Sequence, residues 1–591
     1  MKASEKKRRR FLKAIPAAIG AGLVARPAVD AALQAPAAQA PASGAITADT
    51  LGVAQQIVGV ALPVEERESA RSLVARNLAN IEAIRKVQLT PDIEPAFSYR
   101  VTTGSPAIAR SATAGNDGSR PVTTGLPAIA RSATAGSLAR SLRTRTISAK
   151  PASIEDVAFE PVHVLAERIR RRQISSAGLT SMYLDRLKRH DATLFCVVTL
   201  TEDLAREQAA QADREIQAGR YRGPLHGIPY GIKDLFSVKG RPTTWGAAPY
   251  EKQVFDYDAT AVTRLRDAGA VLLAKLSTGE LAVGDLWFRA RTRNPWNPET
   301  GASGSSAGPA SAAAAGLVGF AVGTETNGSI VSPASTCGVT GLRPTYGRVS
   351  RYGCMTLRWT LDKVGAIARS VTDTALVLSA MHGPDGQDET VSDRPFTWDG
   401  GSVLKGLRVG FVEREFAGTA SSAPAVNAAL DVYRRAGATL VPIALPDSPA
   451  AEIYALLNAE AGAMFDELVR SGGINQLADK GVNGRANQLR ASRFIPAVDY
   501  IRAQRVRTLL VRQMNQIFER VDVFLAPSSS ASVTMTNLTG HPAITVPAGF
   551  SRDLPVGLMV TGPVFREDLV LQAASAFEAA TDWHARRPKG Y

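Results

Sequence analysis

Between residues 64 and 84 apolar side chains recur at helical spacing. Leu73, Val74, Leu78, Ile81 and Ile84 succeed an acidic opening, Glu65, Glu66 and Glu68, that comes just after Pro63. That period, with acids in the first turn, predicts a helix, the better marked of two within residues 46–95, and it is expected to dock on the large domain. The pattern then fails. VTTGSPAIARSATAG from Val101 returns as VTTGLPAIARSATAG from Val122 with one change, and Gly, Ser, Thr, Ala and Pro dominate. Two short copies make no solenoid, so residues 101–152 are expected to be a duplicated, solvated linker. From Ile154 periodic segments return. Residues 162–172, 181–190, 205–218, 259–268 and 569–580 read as helices. Short apolar runs at 227–236, 270–274, 317–322, 521–525 and 543–546 read as buried strands. The alternation predicts an α/β domain over residues 153–588 with a largely buried sheet.

The front end changes that picture. The chain has 591 residues and a net charge of +15, about +11 of which falls before residue 151, so the large domain is nearly balanced and offers no basic face for a nucleic acid. Lys6 to Arg10 precede a short, weakly apolar stretch, residues 14–25, too short to span a bilayer. Arg8-Arg9-Arg10-Phe11-Leu12-Lys13 resembles the twin-arginine export motif. Residues 1–40 are therefore expected to be a signal peptide, cut after Ala40 or Ala31, and 41–100 a helical extension. The twin-arginine machinery would be a partner of the precursor, and the mature protein periplasmic or extracellular. A disordered basic arm is the alternative. Three cysteines, at 196, 337 and 354, and six scattered histidines form no disulfide framework or metal motif.

The candidate chemistry lies in residues 301–329. A Gly/Ser-rich loop leads into an alanine run, 310–315, then an apolar segment, then a second polar loop, Thr324-Glu325-Thr326-Asn327-Gly328-Ser329. Such loops present consecutive backbone N–H groups that favour negative charge. Upstream, Lys233 is the first charge in the run Gly227-Ile228-Pro229-Tyr230-Gly231-Ile232-Lys233-Asp234. Burial would lower its pKa and let it act as a general base. These segments resemble the amidase signature family: the loop Ser303 to Pro309, the loop Glu325 to Ser329, and the G-I-P-x-x-I-K-D run. Asn294 to Glu299, Gly341 to Ser350, Asn537 to Ala543 and Leu554 to Met559 also match, and the likeness covers about residues 153–588.

The resemblance implies a mixed sheet covered by helices on both sides and a small-molecule carboxamide as substrate. It implies no metal or organic cofactor and leaves the oligomeric state open. It makes Ser329 the nucleophile, Lys233 the base and Ser305 the proton relay on a cis Gly304–Ser305 peptide. Thr326, Asn327, Gly328 and Ser329 would form a backbone oxyanion hole, with Ser306 supporting Lys233. Substrate walls are expected from residues 352–360 and 450–500. The chain departs from the family at Asn327 and Ser303, where the pattern has glycines, at Glu325 for aspartate and at Pro309 for serine, which bears on substrate fit. Three other readings stand beside this one. Gly304 to Gly308 fits the G-x-S-x-G elbow with Ser306 as nucleophile, although no strand is expected before it. The motifs also look like the A subunit of the tRNA-dependent amidotransferase, a glutamine hydrolase that an export signal argues against. The last is a catalytically silent binding protein on the same fold.

Overall fold

The structure is a computed structural model and describes residues 46–97, 150–417 and 423–591. The expected signal peptide and the duplicated segment lie outside these residues.

The apolar runs do become strands. With strands numbered in chain order, one sheet of eleven reads β1 (Val197–Leu200), β3 (Val271–Leu276), β2 (Pro229–Lys233), β6 (Phe320–Glu325), β8 (Lys363–Ala368), β7 (Thr340–Arg343), β12 (Ala543–Ser551), β13 (Leu554–Thr561), β11 (Val523–Pro527), β9 (Arg408–Val412) and β10 (Thr439–Ile443). The short strands β4 (Arg293–Asn294) and β5 (Asn297–Gly301) pair with each other outside it. The large sheet is mixed. β2 runs parallel to β3 and β6, and β11, β9 and β10 are parallel, while β6 to β13 pair antiparallel between them. Helices pack on both faces, so β2, β3, β6, β7, β8 and β11 are buried at every residue. That is why they read as continuous apolar runs without alternation.

Boundaries shift by a few residues at several elements, and two of the shifts have a clear local cause. The helix expected at 181–190 spans Ser176–Leu194, because the Ser175 side chain accepts from Gly178 N and starts it five residues earlier. The strand expected at 317–322 begins at Phe320. Gly316 takes a left-handed angle and Leu317 N bonds back to Ala312 O, so Leu317 to Gly319 are spent closing the preceding helix.

That helix, Ala307–Ala314, is buried at every position. Its small side chains let Gly308 N reach Ser277 O at 3.0 Å. Pro309 falls in the first turn, where its missing N–H costs nothing. The serine-to-proline departure is thus accommodated by position.

In the extension, helices Ala48–Val58 and Val64–Arg85 form. Ala70, Leu73, Val74, Ile81 and Ile84 are buried against helices Ala450–Leu456, Arg485–Ser492 and Ala497–Arg520. Isolated helices of this kind are marginal in water, so docking supplies the order. Arg490 Nε donates to Glu66 at 2.8 Å, and Arg85 grips Asp499 through two 3.0 Å bonds. The second pair is half exposed on the Arg85 side and is worth about 1 kcal/mol at most; the apolar face dominates at roughly 1.5–3 kcal/mol per large side chain. Ile84→Asp is therefore expected to expose residues 46–97 to limited proteolysis while the main melting transition stays within a few degrees. Collapse of that transition would mean the extension is integral to the core.

Candidate active site

β2 ends at Lys233, whose side chain is fully buried. Its Nζ lies 2.8 Å from Ser305 Oγ and 2.9 Å from Thr324 Oγ1. Burial lowers its pKa from 10.5 to about 7, against Cys354, Asp362 and Glu325, which pull it up. A lysine near neutrality can take a proton from Ser305, the condition for a general base at physiological pH. The strand exit is fixed by Asp234, buried, paired with Lys275 at 2.7 Å and accepting from Thr244 N at 2.9 Å.

The cis peptide at Gly304–Ser305 is present. Ser303 before it sits at φ +61°, a conformation that glycine, the family residue, adopts without strain. Ser306 N donates to Ser329 O at 3.1 Å, which ties the two loops together. Ser329 lines the cavity beside Gly304, and among the described residues its Oγ has no hydrogen bond. The relay contact between Ser305 and Ser329 is therefore open in this state, as catalytic bonds without substrate commonly are.

Ser306 does not support Lys233 directly. Its Oγ donates to Thr324 O at 3.1 Å and accepts from Thr324 N at 3.3 Å, and it is fully buried. It holds the residue that holds the lysine. That commitment also removes it as an elbow nucleophile. Histidines are equally remote: His541 is buried, bonded to Thr539 Oγ1 at 2.8 Å and stacked on Phe518, and none of the six lines the cavity.

Sequence reading missed Thr324, which looked like the start of a loop but lies within β6. It also missed what holds the oxyanion loop. Glu325 Oε2 accepts from Ile330 N and Val331 N at 2.8 and 2.9 Å, and Oε1 from Arg343 Nη1 and Asn537 Nδ2 at 2.7 Å each. Burial alone would raise this carboxyl; Arg343, the Val331 N–H and Lys363 outweigh it and hold the pKa at about 2. Thr326 Oγ1 donates to Asp362 at 2.7 Å, and Asn327 Nδ2 to Thr534 Oγ1 at 3.2 Å. So pinned, the N–H groups of Asn327, Gly328 and Ser329 make no bond to the described residues and are available to an oxyanion. The left-handed residue of this loop is Gly328, at φ +84°. Asn327 needs no such angle, which is why asparagine can stand where the family has glycine.

Over this floor lies a cavity of about 420 Å³. Its walls include Leu357, Arg358, Tyr454, Asn458 and Arg485, from the two segments the sequence pointed to.

The Amidase family pattern matches residues 178–571. The A subunit of the glutamyl-tRNA(Gln) amidotransferase of Methylococcus capsulatus is 37% identical over 476 residues, 72% of this chain and 98% of that one. Native peptide amidase from Stenotrophomonas maltophilia superposes with a TM-score of 0.66 at 32% identity, over 73% of this chain and 99% of its own. The A subunit of the Thermotoga maritima amidotransferase gives 0.59 at 26%, over 72% and 95%. With the fold, the paired loops and the buried lysine in place, these matches show that the chain is an enzyme of the amidase signature family.

Proposed function

We propose that this enzyme hydrolyses a carboxamide through an acyl-enzyme on Ser329. The observation that carries the reading is the fully buried Lys233, with a pKa of about 7 and 2.8 Å from Ser305. Neutral Lys233 takes a proton from Ser305 as Ser305 takes one from Ser329, and Ser329 Oγ bonds to the carbonyl carbon. The carbonyl oxygen, now negative, accepts from the N–H groups of Asn327, Gly328 and Ser329. Ser305 gives its proton to the nitrogen and takes back the one held by Lys233, the C–N bond breaks, and ammonia or an amine leaves with Lys233 neutral again. Water then repeats the attack on the ester with Lys233 as base, releasing a carboxylate and restoring Ser329. An ammonia-release screen of the purified chain over aliphatic, aromatic and amino-acid amides tests this. Labelling of Ser329 by a fluorophosphonate with hydrolysis of at least one amide is expected; folded protein that is neither labelled nor active would overturn it.

Two settings share this chemistry. One is a free-standing exported amidase, supported by the likeness to peptide amidase, with export resting on the Arg8–Lys13 segment. The other is a glutamine-hydrolysing component of an amidotransferase, and the relatives favour it more strongly, because amidotransferase A subunits reach 37% and 38% identity over 98% and 96% of their length against 32% for peptide amidase. Replacing Arg8 and Arg9 with lysine separates them. The exported form predicts that the precursor then stays in the cytoplasm, since export reads the paired guanidinium groups. Undiminished export of the variant would sink the twin-arginine route, and a cytoplasmic wild type with glutamine as the preferred substrate supports the second.

A further inference from the structure

The cavity over Ser329 is closed by a piece of chain outside the residues that match the family. Leu73, Arg76 and Asn77, spaced i, i+3 and i+4, turn one face of the Val64–Arg85 helix toward it. The helix is clamped on both sides of that face, by Arg490 on Glu66 and by Arg85 on Asp499. Asn77 Nδ2 reaches Ala491 O at 3.4 Å, and Arg76 has one long contact, 3.4 Å to Asn483 Oδ1.

The lining is charged in one sense only. It holds Arg76, Arg358 and Arg485 and no aspartate or glutamate. Arg358 and Arg485 are 4% and 2% exposed, yet among the described residues neither pairs with a carboxylate. Arg485 spends two of its five donors, on Gln488 Oε1 and Leu281 O at 3.0 Å each. Arg358 spends two, on Tyr454 O at 2.7 Å and Asn458 Oδ1 at 3.1 Å, and lies over the Tyr454 ring. The Nε of each is buried without a partner. Arg343 and Arg348 also leave Nε without a partner, but each is paired with a buried carboxylate, Glu325 and Glu567, and Arg264 donates to four carbonyls. Asp362, the acid behind this wall, is taken up by Thr326 Oγ1 and the N–H groups of Leu357 and Arg358. Burial without an ion partner pushes the Arg485 pKa down to about 9. Buried guanidinium groups left this open are costly unless something completes them, and a carboxylate fits their fork.

We propose that the Val64–Arg85 helix is a working wall of the substrate pocket, and that its Arg76, with Arg358 and Arg485, binds a carboxylate carried by the amide substrate. This rests on the amidase reading and names the substrate class for it: small amides with an anionic end.

The test uses the full chain. kcat/KM is measured for glutaramate against valeramide and for succinamate against butyramide, pairs that differ in the terminal charge, in wild type, Arg76→Ala and Arg76→Lys. Binding of glutarate is measured calorimetrically in the same proteins. Wild type is expected to prefer the charged member of each pair by about a hundredfold or more, and Arg76→Ala to cut that ratio about tenfold, mainly through KM. Arg76→Lys should restore part of it, and the Kd for glutarate should weaken about tenfold in Arg76→Ala. No charge preference in wild type, or an unchanged ratio and unchanged glutarate binding in Arg76→Ala, would overturn the proposal. If no amide is turned over and Ser329 takes no fluorophosphonate, the amidase reading fails instead, and glutarate binding still decides whether Arg76 belongs to an anion site.

Discussion

Lys233→Met is expected to be inactive yet no less stable than wild type. General-base catalysis by a placed side chain contributes about 10²–10⁴ in rate, and without Lys233 the Ser329 hydroxyl keeps its own high pKa with no acceptor at the end of the relay. The stability half rests on the depressed pKa. The folded value of about 7 lies below the 10.5 of the free side chain, so the unfolded chain binds the proton more tightly. The cost is complete below pH 7 and shrinks as pH rises toward 10.5. A methionine of similar length carries no such cost, so the variant's advantage should be largest in acid. The same protonation shuts down wild-type catalysis, and kcat/KM should fall on the acid side with an apparent pKa near 7. Ser305→Ala should lose most turnover, and combined variants should not multiply the single losses, because the three groups act as a unit. Turnover of Lys233→Met near the wild-type rate, or a folded but dead His541 variant, would refute the assignment.

Glu325→Ala should damage both stability and rate. It leaves Arg343, fully buried, without its carboxylate, a change that costs about 3–5 kcal/mol in comparable buried pairs. It also frees the N–H groups of Ile330 and Val331, which set the position of Ser329 and the oxyanion donors. Misplacing one such donor costs about 10²–10³ in kcat in other hydrolases. Glu325 acts through the loop without touching substrate, so kcat should fall with KM little changed. Glu325→Asp restores the family residue and the charge but is one methylene short. It is expected to keep Arg343 paired and lose part of the contact to the loop, with intermediate stability and rate. Since the folded pKa of Glu325 lies below its usual 4.5, its contribution is present above that pH and is lost as pH falls toward 2. A Glu325→Ala protein that melts and turns over like wild type would show that the loop stands without this anchor.

What the sequence determined by itself was local. A lone lysine at the end of a strand's apolar run announced burial, because a charge there has no other neighbours. A run of alanines and then an apolar segment between two hydroxyl-bearing loops announced a packed helix and strand joining them; Ser305 precedes the helix Ala307–Ala314 and Ser329 follows β6. The period of Leu73, Val74, Ile81 and Ile84 announced a docked helix. None of these patterns says what lies across the gap. Glu325 meets Arg343 and Asn537, the latter more than two hundred residues away, and nothing near Glu325 marks it as the anchor of the loop. Thr324 could not be told from a loop residue until β8 paired with β6 and fixed the strand's end. The family resemblance puts Ser306 in support of Lys233, whereas the helix start turns its hydroxyl to the Thr324 backbone. The largest decision of the tertiary structure concerns Arg76: its periodicity places it on one face of a helix, but only packing against residues more than four hundred positions later makes that face a wall over Ser329. Periodicity encodes which side of an element is apolar; which surfaces meet, and which charges are left without a partner, depends on contacts between distant segments that no local pattern contains.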